Sequence, residues 1–205
     1  MAPSLVAPVR ADRALPFVLR LIVAVVVAVV VGLGSAWLTV GEGWAFRSYK
    51  AGDWTAWPEG GSATPDPYSR AILARTAQIP LGGGEGIAFF ASRDSDRAPL
   101  RGGCEYVLTG DTPLARLWTL SVVDAKGEVP RHRSGRTHFH SREVLRKPDG
   151  SLEITLSPLA RPGNWMPIPD SGALTVVLRL YDSGAANPRT AGALLMPRIE
   201  WKGCR

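Results

Sequence analysis

From Leu21 to Leu38 the chain reads LIVAVVVAVVVGLGSAWL, eighteen residues without a charge. With Thr39 and Val40 this run reaches the roughly 20 residues a helix needs to cross a hydrocarbon core. Trp37 and Trp44 lie near its far end, where amphipathic rings favour the membrane interface. Arg10, Arg13 and Arg20 precede the run, whereas Arg47 and Lys50 follow it beside Glu42 and Asp53. That bias predicts a cytoplasmic N-terminus and an exported remainder. Gly34-Ser35-Ala36 would suit a signal-peptide cleavage site. The run is nevertheless longer than the roughly 7–15 residues of a signal core, so a retained anchor is the expectation.

Four segments follow from this: a tail over 1–20, a transmembrane helix over 21–40, a juxtamembrane connector over 41–64 and an exported domain over 65–205. The exported part is large enough for one hydrophobic core. It carries 21 Lys and Arg against 17 Asp and Glu from Gly41 onward, about +4 of the chain's +6. Much of the excess lies between Lys126 and Lys147, where seven basic residues meet only Glu128 and Glu143. Outside the cytoplasm such a stretch fits an anionic lipid, a polyanionic sugar or an acidic protein, and nucleic acid is not an expected partner. A solvated basic hairpin is the alternative reading.

The chain holds 22 Gly and 17 Pro, a load that favours turns and short strands. Asp66-Pro67 suits a helix start, Asp at the N-cap and Pro at the first turn, with the helix running to about Gln78. Gly82-Gly83-Gly84 lacks the Lys-Ser/Thr of a phosphate-binding loop and reads as a connector. Strands are expected at Ile87–Ala91, Cys104–Thr109, Leu117–Asp124, Glu143–Lys147, Ser151–Ser157, Leu174–Tyr181 and about Leu195–Trp201. In Leu174, Val176, Leu178 and Leu180 the two-residue period of a half-buried strand is clearest. The expected fold is mainly β, a jelly-roll-like β-sandwich with one short helix, preceded by the single transmembrane helix.

Several residues could carry a site. His138 and His140 share one face if they sit on a strand, and with His132 they could offer three imidazoles to a metal ion. Phe139 between them suits a core position, which would leave the histidines in solvent among arginines. Asp94-Ser-Asp96 could begin a calcium loop or make a polar turn; the Gly and Glu of the full loop motif are missing. Asn164-Trp165, in the run Arg161-Pro-Gly-Asn-Trp-Met-Pro, could hold a sugar ring or plug the end of the sandwich. Arg131, Arg133 and Arg136 are candidate anion contacts. Cys104 and Cys204, 100 residues apart, could form one disulfide in an oxidising compartment. No Gly-x-Ser-x-Gly elbow and no defensible acid–base pair occur. No cofactor is therefore expected, a metal ion being the one exception entertained.

The runs Asp66-Pro-Tyr-Ser-Arg-Ala71, Asp94-Ser-Asp96 before Pro99-Leu100, Cys104-Glu-Tyr106, Trp118-Thr-Leu120, Asn164-Trp165 and Leu178-Arg-Leu-Tyr-Asp182 resemble the bacterial domain of unknown function 1214 family. The resemblance extends from about Trp54 to Cys204. It implies an N-terminal anchor with one domain, or in longer relatives two jelly-roll barrels, and it supplies no catalytic residues. The His138-Phe-His140 pair is not expected from it. The bacterial inner membrane, with a periplasmic domain, is then the expected location. The expected role is a non-catalytic envelope protein binding a protein, lipid or glycan; a hydrolase or lyase on a jelly-roll scaffold is the alternative.

Overall fold

The computed structural model describes residues 14–42, 48–76, 79–186 and 194–204. Arg10, Arg13, Trp44, Arg47 and Gln78 lie outside the described residues. The chain divides into two units, Met1–Ala45 and Phe46–Arg205.

Among its described residues the first unit contains one helix, α1 (Ala14–Glu42). Its stretch Pro16–Leu38 is 23 residues, long and apolar enough to cross a membrane. At about 1.5 Å per residue it covers a hydrocarbon core of about 30 Å. The hydroxyl of Ser35 donates to the carbonyl of Gly32 at 3.0 Å, so this polar group is satisfied within the helix.

The second unit is a two-sheet β-sandwich. Its strands are β1 (Tyr49–Ala51), β2 (Trp54–Ala56), β3 (Gly86–Ala91), β4 (Cys104–Gly110), β5 (Leu117–Asp124), β6 (His138–His140), β7 (Leu152–Ser157), β8 (Trp165–Pro167), β9 (Leu174–Tyr181) and β10 (Arg198–Cys204). Six form one sheet in the order β1-β2-β3-β9-β5-β6, and four form the other in the order β10-β4-β7-β8. All pairings are antiparallel except β7 with β8. The short helix α2 (Pro67–Thr76) precedes β3. Asp66 caps it as expected: its Oδ1 accepts the Ser69 amide at 3.1 Å and its carbonyl accepts the Arg70 amide.

Alternation builds the core. Leu174, Val176, Leu178 and Leu180 of β9 point inward with Trp118, Leu120 and Val122 of β5 and Phe89 of β3. From the other sheet Leu152, Ile154 and Leu156 of β7 meet them, with Tyr106 and Leu108 of β4. Phe139 takes the core position its neighbours predict. Burying side chains of this size contributes roughly 1.5–3 kcal/mol each.

The structure departs from the sequence reading in three places. Residues 49–56, read as connector, form the β1–β2 hairpin that extends the six-stranded sheet. Trp54 anchors it: the ring is buried and its Nε1–H donates to the Pro197 carbonyl at 2.7 Å. Glu143–Lys147, read as a strand, is mostly irregular, and only an isolated bridge joins Arg146 to Leu152. Strands β6 and β8 were not expected. At three residues each, neither shows a period.

Candidate functional site

The basic stretch forms a ribbon that leaves β5, returns as the edge strand β6 and continues to Lys147. Its seven Lys and Arg side chains are all exposed. Arg136 lies 3.6 Å from Glu143 and stacks 4.3 Å over the Phe139 ring, and Lys147 pairs with Glu153 at 2.5 Å. Among the described residues, Lys126, Arg131, Arg133, Arg142 and Arg146 have no carboxylate partner.

Asn164 and Trp165 fasten this ribbon. Asn164 is buried, and its Oδ1 accepts the Leu145 amide at 2.8 Å. Its Nδ2 donates to the carbonyls of Leu145 and Glu153 at 2.7 and 2.8 Å. Trp165 is half-buried on the outer face of the four-stranded sheet, and its Nε1–H donates to the Ser157 carbonyl at 2.9 Å. Against it stands the ring of His132. The loop before Asn164 is tied to β4 by Arg161, whose Nε and Nη2 both lie 2.6 Å from Glu105 Oε2. That guanidinium holds the Glu105 carboxyl below the usual carboxylate range. The Asn164 amide is thus committed to backbone groups, and Trp165 lies on a sheet face rather than at the end of the sandwich.

His138 and His140 stand opposite Ser121 and Thr119 of β5, so both face outward on the six-stranded sheet, with ring centroids 6.3 Å apart. His140 Nδ1 accepts the Arg142 amide at 3.2 Å, and its Nε2 lies 3.6 Å from Glu143. His132 Nδ1 accepts the Ser134 amide at 3.1 Å. In both rings the Nδ1 lone pair is thus engaged by a backbone N–H. Among the described residues no three His, Cys, Asp or Glu side chains gather as a metal site.

Asp94 does not face solvent. It is buried, and its Oδ1 accepts the amides of Asp96 and Ala98 at 3.0 and 2.8 Å, the polar-turn alternative. Between the two carboxylates, Ser95 links distant segments: its Oγ donates to Asp53 Oδ2 at 2.9 Å and accepts the Ile199 amide at 3.1 Å. Asp96 remains exposed. Cys104 and Cys204, directly opposed at the ends of β4 and β10, are bridged.

A feature absent from the sequence reading lies at the centre of the outer sheet face. The register sets Lys50, Thr55, Phe90, Val177, Ser121 and His138 in one row across six strands. The next row is Ala88, Arg179, Thr119 and His140. Arg179 is half-buried, and its Nη1 lies 3.4 Å from Ser121 Oγ. No carboxylate pairs with it among the described residues. Alternation alone placed Arg179 on this face; only the strand pairing brings it to Ser121, 58 residues away.

Residues 85–185 match the profile of the family described as "Protein of unknown function (DUF1214)". Residues 85–185 belong to the DUF1214 family. The match begins just before β3 and ends beyond β9, so it takes in the ribbon, Asn164-Trp165 and Arg179. The VPA0106 protein of Vibrio parahaemolyticus has a similar structure, with 21% identity and a TM-score of 0.55 over 66% of this chain and 35% of its own. The likeness shows the fold, and the chain spans about a third of that protein's length. A putative uncharacterized protein from Burkholderia cenocepacia aligns over 69% of this chain and 44% of its own at 20% identity, with a TM-score of 0.37. No curated protein matches the sequence.

Proposed function

We propose that this protein is a non-catalytic envelope domain, anchored in the inner membrane by α1, whose basic ribbon binds anionic lipid headgroups on the periplasmic side. The observation that carries the reading is the set of five exposed cations between Lys126 and Arg146 without carboxylate partners among the described residues. Basic side chains near an anionic bilayer contribute about 1 kcal/mol each, within a Debye length of the surface. A chain tethered to a bilayer also meets its headgroups at high effective concentration, so a weak contact suffices. The disulfide fits an oxidising compartment, which supports the periplasmic placement.

Hydrogen exchange on the full chain tests the proposal. Residues 126–147 are expected to exchange more slowly in nanodiscs containing phosphatidylglycerol than in phosphatidylcholine alone. Equal exchange in the two lipids contradicts the reading.

A further inference from the structure

Arg179 is a cation that the fold brings to a sheet centre, half-buried, without supplying a counter-charge among the described residues. Such a guanidinium is costly to hold unless donors and acceptors around it are satisfied, and its planar fork matches oxyanions. Its neighbours are donors too. Ser121 lies at 3.4 Å, Thr119 is the directly opposed residue on β5, and His138 faces the same side next to Ser121. The register sets Arg179 opposite Thr119, while His138 stands opposite Ser121 in the neighbouring row, two residues along the strand, so Arg179 and His138 lie diagonally across the two hydroxyl-bearing residues. Ser121 is buried, so its hydroxyl forms the floor of this face beside the half-buried Arg179. On the other flank, Trp57 packs against Phe90 with ring centroids 5.5 Å apart, an apolar wall beside the polar floor.

The geometry points to a phosphoryl-binding site on the outer face of the six-stranded sheet, formed by Arg179, Ser121, Thr119 and His138. The inference rests on the anionic-partner reading and narrows it from a diffuse charged ribbon to one stereospecific contact. A carboxylate offers two oxygens, whereas the guanidinium fork, two hydroxyls and an imidazole N–H suit a tetrahedral group with three or more acceptor atoms. Glu143, the acid of the ribbon's returning limb, already accepts the His140 amide and lies 3.6 Å from Arg136. The phosphoryl group could belong to a free ion or to a lipid headgroup, and the two sources are separable by experiment.

The test is calorimetric titration of inorganic phosphate into the full chain held in phosphatidylcholine nanodiscs, alongside capture of phosphatidylglycerol vesicles by the same preparation. Arg179→Gln is expected to weaken phosphate binding at least tenfold, with Arg179→Lys, which keeps the charge but loses the fork, falling between. Ser121→Ala provides a second variant that leaves the charge intact and is expected to weaken binding several-fold. Arg131→Gln with Arg133→Gln should leave the phosphate isotherm unchanged. If phosphate fails to bind but Arg179→Gln abolishes vesicle capture, the phosphoryl group is that of the lipid. If Arg179→Gln, with an unaltered melting temperature, changes neither readout, the site is refuted. The ribbon reading then survives only if Arg131→Gln with Arg133→Gln still weakens capture. Acetate competing as well as phosphate overturns the phosphoryl assignment.

Discussion

The ring of His132 meets the Trp165 indole edge-on, with centroids 5.5 Å apart and planes at 89°. The contact ties the loop between β5 and β6, on one sheet, to the edge strand β8 of the other. Immediately before Trp165, Asn164 holds the ribbon's returning limb through Leu145. The ribbon is therefore positioned by its neighbours rather than free in solvent. Edge-to-face aromatic pairs contribute about 0.5–1.5 kcal/mol beyond area burial. Trp165→Leu should therefore leave all charges in place yet broaden the His132 imidazole signals in NMR spectra. It should also speed hydrogen exchange over 128–137; unchanged exchange there would show that the ribbon is ordered by other contacts.

Asn164→Ala removes three part-buried hydrogen bonds, those to the Leu145 amide and to the carbonyls of Leu145 and Glu153. Each such group costs about 1–3 kcal/mol, so a loss of at least 2 kcal/mol, roughly, is expected in chemical denaturation. Asn164→Asp keeps the acceptor but faces two carbonyls with a carboxylate, so it should be worse at neutral pH and recover partly in acid. A variant as stable as the parent would contradict the fastening role.

The bridge between Cys104 and Cys204 closes a separation of 100 residues. In the chain-entropy model such a loop is worth about 4–5 kcal/mol, and removal of native bridges typically costs about 2–5. Cys104→Ser with Cys204→Ser should lower the denaturation midpoint accordingly, and reducing agent should then have no further effect. If the double variant and the parent unfold together, the bridge contributes nothing.

Arg161 holds the Glu105 carboxyl below its ordinary range, with Ser157 as a further donor. A carboxylate whose pKa is lower folded than unfolded adds stability above its unfolded pKa and loses it as pH falls through the folded value. Stability should thus decline on acidification below about pH 4.5, the onset of carboxylate protonation. Arg161→Gln should flatten the part of that decline due to Glu105. Identical acid profiles for parent and variant would remove the ion pair from the account.

Two buried tryptophans provide an internal contrast. Trp54 donates to the Pro197 carbonyl at 2.7 Å, whereas the Trp118 indole N–H has no acceptor among the described residues. Substitution by Phe removes a similar volume at each site but breaks a hydrogen bond only at Trp54. Trp54→Phe should therefore cost about 1–3 kcal/mol more than Trp118→Phe, read from paired denaturation curves. Equal losses would argue that packing alone decides both.

The long strands were legible because their periods are long enough to see. Leu152, Ile154 and Leu156, and the four inward residues of β9, are all buried where alternation put them. Strands β1, β2, β6 and β8 have three residues each, too few to show a period, and Trp54 gave no sign of its distant partner. Glu143–Lys147 carries a strand-like composition. Its central Leu145 spends both backbone groups on the Asn164 side chain, which replaces the ladder a strand would need. The histidines' shared face could be reasoned from spacing. The meeting of Arg179 with Ser121 could not, because it depends on the register of β5 against β9.

The most direct test of the anionic-surface role is vesicle capture as a function of salt. The full chain is held in phosphatidylcholine nanodiscs and presented with phosphatidylglycerol vesicles, with and without Arg131→Gln, Arg133→Gln and Arg142→Gln together. At about 1 kcal/mol per charge, the triple variant should bind roughly a hundredfold more weakly, and the parent's affinity should fall steeply as salt rises. Capture that is indifferent to both salt and the three arginines would contradict the account.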